Sequence, residues 1–203
     1  MRVVVPFDAD DPKTRLAPVL GAGERAGFAT AMLRDVLETV RAAGHEPEVL
    51  STASAGVDAP ITVDEQPLSP AVNAVLVAHD GPIAVVMADL PLATPDALAR
   101  LTEPDADVAL VPGLGGGTNA FLTRDPTFRV DYHGGSYRKH REQVAASGGS
   151  LATVDSFRLS LDVDEPGDLA EVLLHGDGHT ETWLREAGFE LAADERGLAA
   201  RRD

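Results

Sequence analysis

Three groups of residues in this chain carry side chains suited to handling anions. Lys13 and Arg15, in Pro12-Lys13-Thr14-Arg15-Leu16, lie in the loop after the first apolar run, where a phosphate-bearing ligand sits in open α/β sheets. Lys13 is one of two lysines, against 15 arginines, in 203 residues, so its placement is notable. The second group is acidic. Asp89 directly follows the apolar stretch Pro82–Met87, while Asp162 and Asp164 alternate along Ser160-Leu-Asp-Val-Asp-Glu165 with their carboxylates on one side, a spacing that suits one or two magnesium ions. The third is small and polar. Gly113-Leu-Gly-Gly-Gly-Thr118-Asn119 could cradle an anion with backbone N–H groups, Thr118 and Asn119 adding side-chain donors. Gly134-Gly135-Ser136 opens the most basic stretch, Tyr137-Arg138-Lys139-His140-Arg141, where free N–H groups and a helix dipole favour negative charge.

Each group also has an ordinary structural reading. An Asp after a strand caps or turns the chain, a glycine loop can be only a turn, and paired aspartates arise by chance in an acidic protein. Other chemistries are excluded outright. There is no cysteine, hence no disulfide, thiolate metal site or cysteine nucleophile. No G-x-x-x-x-G-K-[ST] occurs, and the glycine loop precedes the strand-like Asn119–Thr123 instead of opening a helix, which rejects the dinucleotide fingerprint. His133 and His140 lack a third soft ligand for zinc.

The elements that must position these groups alternate between strand and helix patterns over the first hundred residues. Apolar runs at residues 2–6, near Glu48–Ser51, at Ile61–Val63 and at Pro82–Met87 read as buried strands. Phe28, Met32, Leu33, Val36, Leu37 and Val40 recur at helical spacing within Glu24–Ala43, and Gly44 ends that helix. Further helices are expected at Ser69–His79, Pro95–Leu101, Gly135–Ala146, from Pro166, and once more in the last thirty residues before a frayed acidic tail. Strands are expected at Asp107–Val111, Asn119–Thr123, Leu151–Val154 and Arg158–Leu161. This order argues one α/β domain over residues 1–203, its mostly parallel sheet covered by helices on both faces.

The formal net charge of −16 repels nucleic acid and anionic membrane, so neither is an expected partner. No apolar run approaches the ~20 residues of a membrane span and the N-terminus does not read as a signal peptide, so a cytoplasmic protein is expected. The acidic, lysine-poor composition suggests a high-salt cytoplasm of archaeal type. The helix Glu24–Ala43 or the C-terminal segment could support a homodimer.

The series VVP…PKTRLAPVL…ER…AMLRDVL, VVMADLPL, GGGTNAFL, GSYRKH and LDVDEPGDL resembles the CofC family of guanylyltransferases, in this order and over almost the whole chain. The resemblance implies a GT-A-like, Rossmann-like three-layer α/β/α nucleotidyltransferase fold. It implies transfer of GMP from GTP to the phosphate of a small acid, 2-phospho-L-lactate, with release of pyrophosphate, in biosynthesis of coenzyme F-420. Carried onto this chain, Lys13 and Arg15 hold the triphosphate and, with Asp89, serve catalysis. Asp89, Asp162 and Asp164 hold Mg2+, Glu65 and Asn73 face the nucleoside, and Thr118, Asn119, Gly135, Ser136 and His140 hold the acid. Asp8 and His133 depart from the residues expected at their positions. Phosphoenolpyruvate is the alternative acceptor, and a non-catalytic nucleotide-binding regulatory module is the alternative of another class.

Overall fold

The computed structural model describes residues 1–194 and 197–202. Its centre is a seven-stranded sheet in the order β3-β2-β1-β4-β6-β5-β7. The strands are β1 (Arg2–Phe7), β2 (Glu46–Ser51), β3 (Ile61–Val63), β4 (Ile83–Val86), β5 (Val108–Pro112), β6 (Thr118–Thr123) and β7 (Leu151–Thr153). All neighbouring pairs are parallel except those made by β6, which is antiparallel to both β4 and β5. The glycine loop explains that exception, because its tight reversal lays β6 back beside β5. The mostly parallel mixed sheet expected from the sequence is therefore present.

Alternation along the buried strands feeds two faces. Val3 and Val5 point into a core with Leu33, Val36, Leu37 and Val40 of α1 (Ala22–Ala42) and Leu98 and Leu101 of α3 (Pro95–Thr102). Val4, Val85 and Phe121 point to the other side, against Val72 and Leu76 of α2 (Leu68–Ala78) and Val144 of α4 (Ser136–Ser147). Gly44, at φ 78°, turns the chain out of α1, and the His45 N–H closes the end on the Val40 carbonyl at 3.1 Å.

Two expectations are corrected. Arg158–Leu161 is not a strand: α5 (Phe157–Ser160) is a single helical turn closed by Ser160 N–H to Ser156 O at 2.9 Å. That turn buries Leu159 against the sheet while Arg158 reaches out to the His175 carbonyl, a division that the alternating Arg-Leu-Ser-Leu does not specify. The C-terminal segment is not a frayed tail, since β8 (Glu190–Asp194) and β9 (Gly197–Arg201) form an antiparallel ribbon. Leu191 and Ala200 of the ribbon pack on a third core, built by Phe28 and Met32 of α1, Leu173 of α6 (Leu169–His175) and Leu184 of α7 (His179–Glu186). No described helix is long and apolar enough to cross a membrane.

Candidate active site

The strand order reverses at β1, whose sequence neighbour β2 lies on one side and β4 on the other. Crevices of this kind, at the carboxyl ends of parallel strands, are where open α/β sheets bind ligands. Lys13 follows β1 and Asp89 follows β4, so both stand at this opening. Lys13 and Asp11 have backbone φ values of 54° and 49°, uncommon for residues with side chains. Arg25 holds that loop, for its guanidinium donates to the Pro12 carbonyl at 3.1 Å and pairs with Asp11. Arg25 is only 8% exposed and shares the buried face of α1 with Phe28. An arginine on an apolar helical stripe is the signal that the sequence carries for this role.

Lys13 Nζ donates to Asp89 Oδ2 at 2.8 Å and to Asp164 Oδ1 at 2.6 Å, so residues 76 and 151 positions away converge on one nitrogen. Burial disfavours the charge on Lys13, yet the fields of Asp89 and Asp164 outweigh it and raise the ammonium pKa above the ordinary lysine value. Arg15, largely exposed, reaches Asp164 Oδ2 at 3.2 Å. The segment carrying Asp164 is pinned in place by Val163 N–H, which donates to the Asp89 carbonyl at 3.0 Å. Asp168, absent from the sequence reading, accepts from the N–H groups of Asp164 and Glu165 at 2.9 and 2.7 Å and shapes that turn.

Asp162 lies beside these carboxylates without sharing their lysine. It accepts from Asn119 Nδ2 at 3.1 Å, and burial, reinforced by the charges of Asp89 and Asp164, keeps its carboxyl above the usual range despite that hydrogen bond. Asn119 therefore faces Asp162, and its side chain requires glycine at 113, where a Cβ would come within 2.3 Å of Asn119 Oδ1. The loop that follows is a tight hairpin more than a cradle. Gly113, Leu114 and Gly116 donate their N–H groups to Gly117, Ser160 and Gly113 carbonyls at 2.9, 3.0 and 3.0 Å.

From Lys13 and Asp89 a cleft of about 520 Å3 runs past the ends of β1 and β2 to Asp64, Glu65 and Gln66. Glu65 lines it, as do Ser51, Thr52 and Arg15. Asn73 does not. Its amide clamps the backbone of Val130, donating to the carbonyl at 2.9 Å and accepting from the N–H at 2.8 Å, so it braces the segment leading to α4 instead of facing the cleft.

Met87 N–H donates to Asn119 O at 3.0 Å, which ties the chain leading to Asp89 to the start of β6, where Thr118 stands. Gly134 and Gly135 both adopt positive φ, 53° and 68°, and bring Ser136 to the first position of α4. Ser136 Oγ lies 3.4 Å from Thr118 Oγ1, and His140 Nδ1 lies 2.9 Å from the same oxygen. His140 is 1% exposed and its other nitrogen accepts from Asp131 N–H at 2.9 Å. With both ring nitrogens engaged, His140 stands behind Thr118 and is not placed to touch a ligand itself. Lys139 pairs with Asp131 at 2.7 Å, and its ammonium, with the His133 N–H, holds that carboxyl below the usual range.

The model of the family described as guanylyl transferase, CofC like, matches residues 1–202. This chain belongs to that family. Among its relatives, the 2-phospho-L-lactate guanylyltransferase of Halomicrobium mukohataei is 58% identical over 99% of this chain and 100% of its own length. That of Natronomonas pharaonis is 55% identical over 100% of both chains. These relatives come from halophilic archaea, in keeping with the acidic composition. A solved structure of a putative nucleotide-diphospho-sugar transferase from Desulfovibrio desulfuricans superposes with a TM-score of 0.71 at 17% identity, covering 91% of this chain and 94% of that one. The fold is thus the GT-A-like α/β class, and this CofC-like guanylyl transferase is an enzyme of nucleotidyl transfer.

Proposed function

We propose that this enzyme transfers GMP from GTP to the phosphate of 2-phospho-L-lactate, giving the diphosphate-linked product and pyrophosphate. The observation that supports this reading best is the meeting of Lys13, Asp89 and Asp164 on the wall of one cleft. That cleft, ending at Glu65, is of a size usual for a cofactor-scale ligand. Next to Asn119 in β6 lies Thr118, and against it Ser136 at the N-terminus of α4, whose dipole suits a small dianion. An acceptor held there attacks the α-phosphorus from the side opposite the departing pyrophosphate. The acceptor oxygen is already ionised near neutral pH, so no general base is needed. Lys13 and Arg15 neutralise charge on the triphosphate and its leaving group.

Mg2+ fits the donor set. Asp89 Oδ1 is buried and has no hydrogen-bond partner among the described residues, and Asp164 comes to the same lysine. Mg2+ commonly takes one or two carboxylates and completes its shell with water and substrate phosphates. The described residues form no cluster of three or more ligating side chains, so the three-aspartate set expected from the resemblance is reduced to the Asp89–Asp164 pair. Asp89 and Asp164 would hold the ion, with Asp162 beside them, and it would supply Lewis-acid stabilisation of phosphoryl charge. Asp89 keeps its carboxylate oriented by Lys13 and by the Val163 anchor.

The test is pyrophosphate release from GTP and Mg2+ with 2-phospho-L-lactate or phosphoenolpyruvate, for wild type and Asp89→Asn. Turnover with phospholactate at least tenfold above that with phosphoenolpyruvate, abolished in Asp89→Asn, is expected. A wild-type rate no better than the variant's would overturn the reading in favour of a binding module.

A further inference from the structure

Behind Thr118 runs a chain of hydrogen bonds whose direction can be assigned from the groups themselves. The Asp131 backbone N–H can only donate, so His140 Nε2 is the acceptor at 2.9 Å and carries no proton. The neutral ring then bears its proton on Nδ1, and that proton goes to Thr118 Oγ1 at 2.9 Å. Thr118 Oγ1 has two lone pairs and one proton. With one lone pair taken by His140, its own O–H can no longer turn towards the ring. Ser136 Oγ donates to the same oxygen at 3.4 Å, so the Thr118 proton is turned away from both the ring and Ser136. Both hydroxyl residues are nearly inaccessible, Thr118 at 3% and Ser136 at 2%, so water does little to randomise them. The ring itself is fixed by edge contacts with Phe128 and Tyr132 at centroid distances of 5.6 and 5.7 Å.

We propose that His140 is a positioning residue for the acceptor: without touching the acid, its Nδ1–H aims the Thr118 hydroxyl proton at the bound anion. This rests on the reading that Thr118 and Ser136 form the acid's subsite. It differs from a purely structural histidine, whose task would be to hold Asp131 through Nε2.

Two amide substitutions separate the roles. The Asn side-chain nitrogen superposes on Nδ1 and can still donate to Thr118, whereas Gln places its amide near Nε2 and can still accept from Asp131 but not serve Thr118. Steady-state kinetics with GTP and 2-phospho-L-lactate are measured for wild type, His140→Asn and His140→Gln. In His140→Gln the KM for the acid is expected to rise tenfold or more, the usual scale for a lost hydrogen bond to a charged partner, with the KM for GTP within twofold. His140→Asn is expected to raise the acid KM less than threefold. The opposite ranking, equal losses in both variants, or no loss in either overturns the role given to His140. A wild type inactive with both phosphorylated acids overturns instead the reading of the subsite.

A second measurement needs no variant. In 15N-histidine-labelled wild type at neutral pH, His140 is expected to show the Nδ1–H neutral tautomer, and saturating 2-phospho-L-lactate is expected to shift its Nδ1 resonance. An Nε2–H tautomer, or no shift at saturation, overturns the proposal even if both variants fail to fold.

Discussion

Replacing Lys13 by methionine keeps most of the apolar stem and removes the ammonium with both its hydrogen bonds, which leaves Asp89 and Asp164 facing each other across the place it occupied. In the wild type that nitrogen is within 2.8 Å of both carboxylates, and Asp162 adds a third negative charge nearby. Removing one partner of a fully buried ion pair costs about 3–5 kcal/mol. Here the side chains of Asp89 and Asp164 are 21% and 34% exposed, so solvent screening reduces the expected loss to about 1–3 kcal/mol. For a domain of this size that is a fall in Tm of roughly 2–12 °C. The same geometry predicts the remedy. In the wild type Lys13 competes with a divalent ion for the two carboxylates, whereas in Lys13→Met only the exposed Arg15, on Asp164, remains beside the ion. At an Mg2+ concentration a hundred times its Kd, binding adds about 2.7 kcal/mol. Thermal melts at fixed high KCl, with and without MgCl2, should therefore show a larger Mg2+-dependent rise in Tm for Lys13→Met than for wild type. The variant should still fail to turn over GTP. An equal or smaller Mg2+ response in the variant would refute the idea that lysine and metal share this site.

The pH dependence of stability follows from His140, whose pKa burial lowers from 6.5 to about 4. The unfolded chain takes up a proton there that the folded protein refuses. Stability is therefore complete above pH 6.5 and declines towards pH 4, by at most about 3 kcal/mol; denaturant melts across that range should show it, and His140→Asn should lack this component. Gly113→Ala would drive a Cβ into Asn119, and should lower Tm and reduce kcat by displacing Asn119 from Asp162. Asp35 caps α7 by accepting from His179 N–H at 2.6 Å and Thr180 N–H at 2.9 Å, and Asp35→Ala should cost about 1–3 kcal/mol in thermal melts without changing the KM for GTP.

The sites that the sequence made legible are those set by local rules. Asp89 after a buried strand and Lys13 after the first strand follow from where strand ends lie in an open α/β sheet, and both stand at the crevice. Gly135 and Ser136 were readable as a helix start because glycine and serine there precede a polar stretch of helix-forming residues. Asn73 was misplaced, since nothing local says that its amide will meet Val130 across 57 residues. Asp131 and Asp168 escaped notice because they act on neighbouring backbone and resemble any other solvated acid. The ribbon at the C-terminus was read as a tail because its few apolar residues are persuasive only once α6 offers them a surface.

Short apolar runs and apolar residues recurring at helical spacing pointed, from the chain alone, to a helix-covered, mostly parallel sheet, because a strand buried on both faces and a helix buried on one leave different patterns. The ordered motifs determined the family. Tertiary structure alone decided that the hairpin makes β6 antiparallel and that one ammonium joins Asp89 to Asp164. It also decided that His140 is sealed behind Thr118 with its proton on Nδ1. These are matters of angström-scale distance and of hydrogen-bond direction between residues far apart in the chain, and no local pattern encodes them.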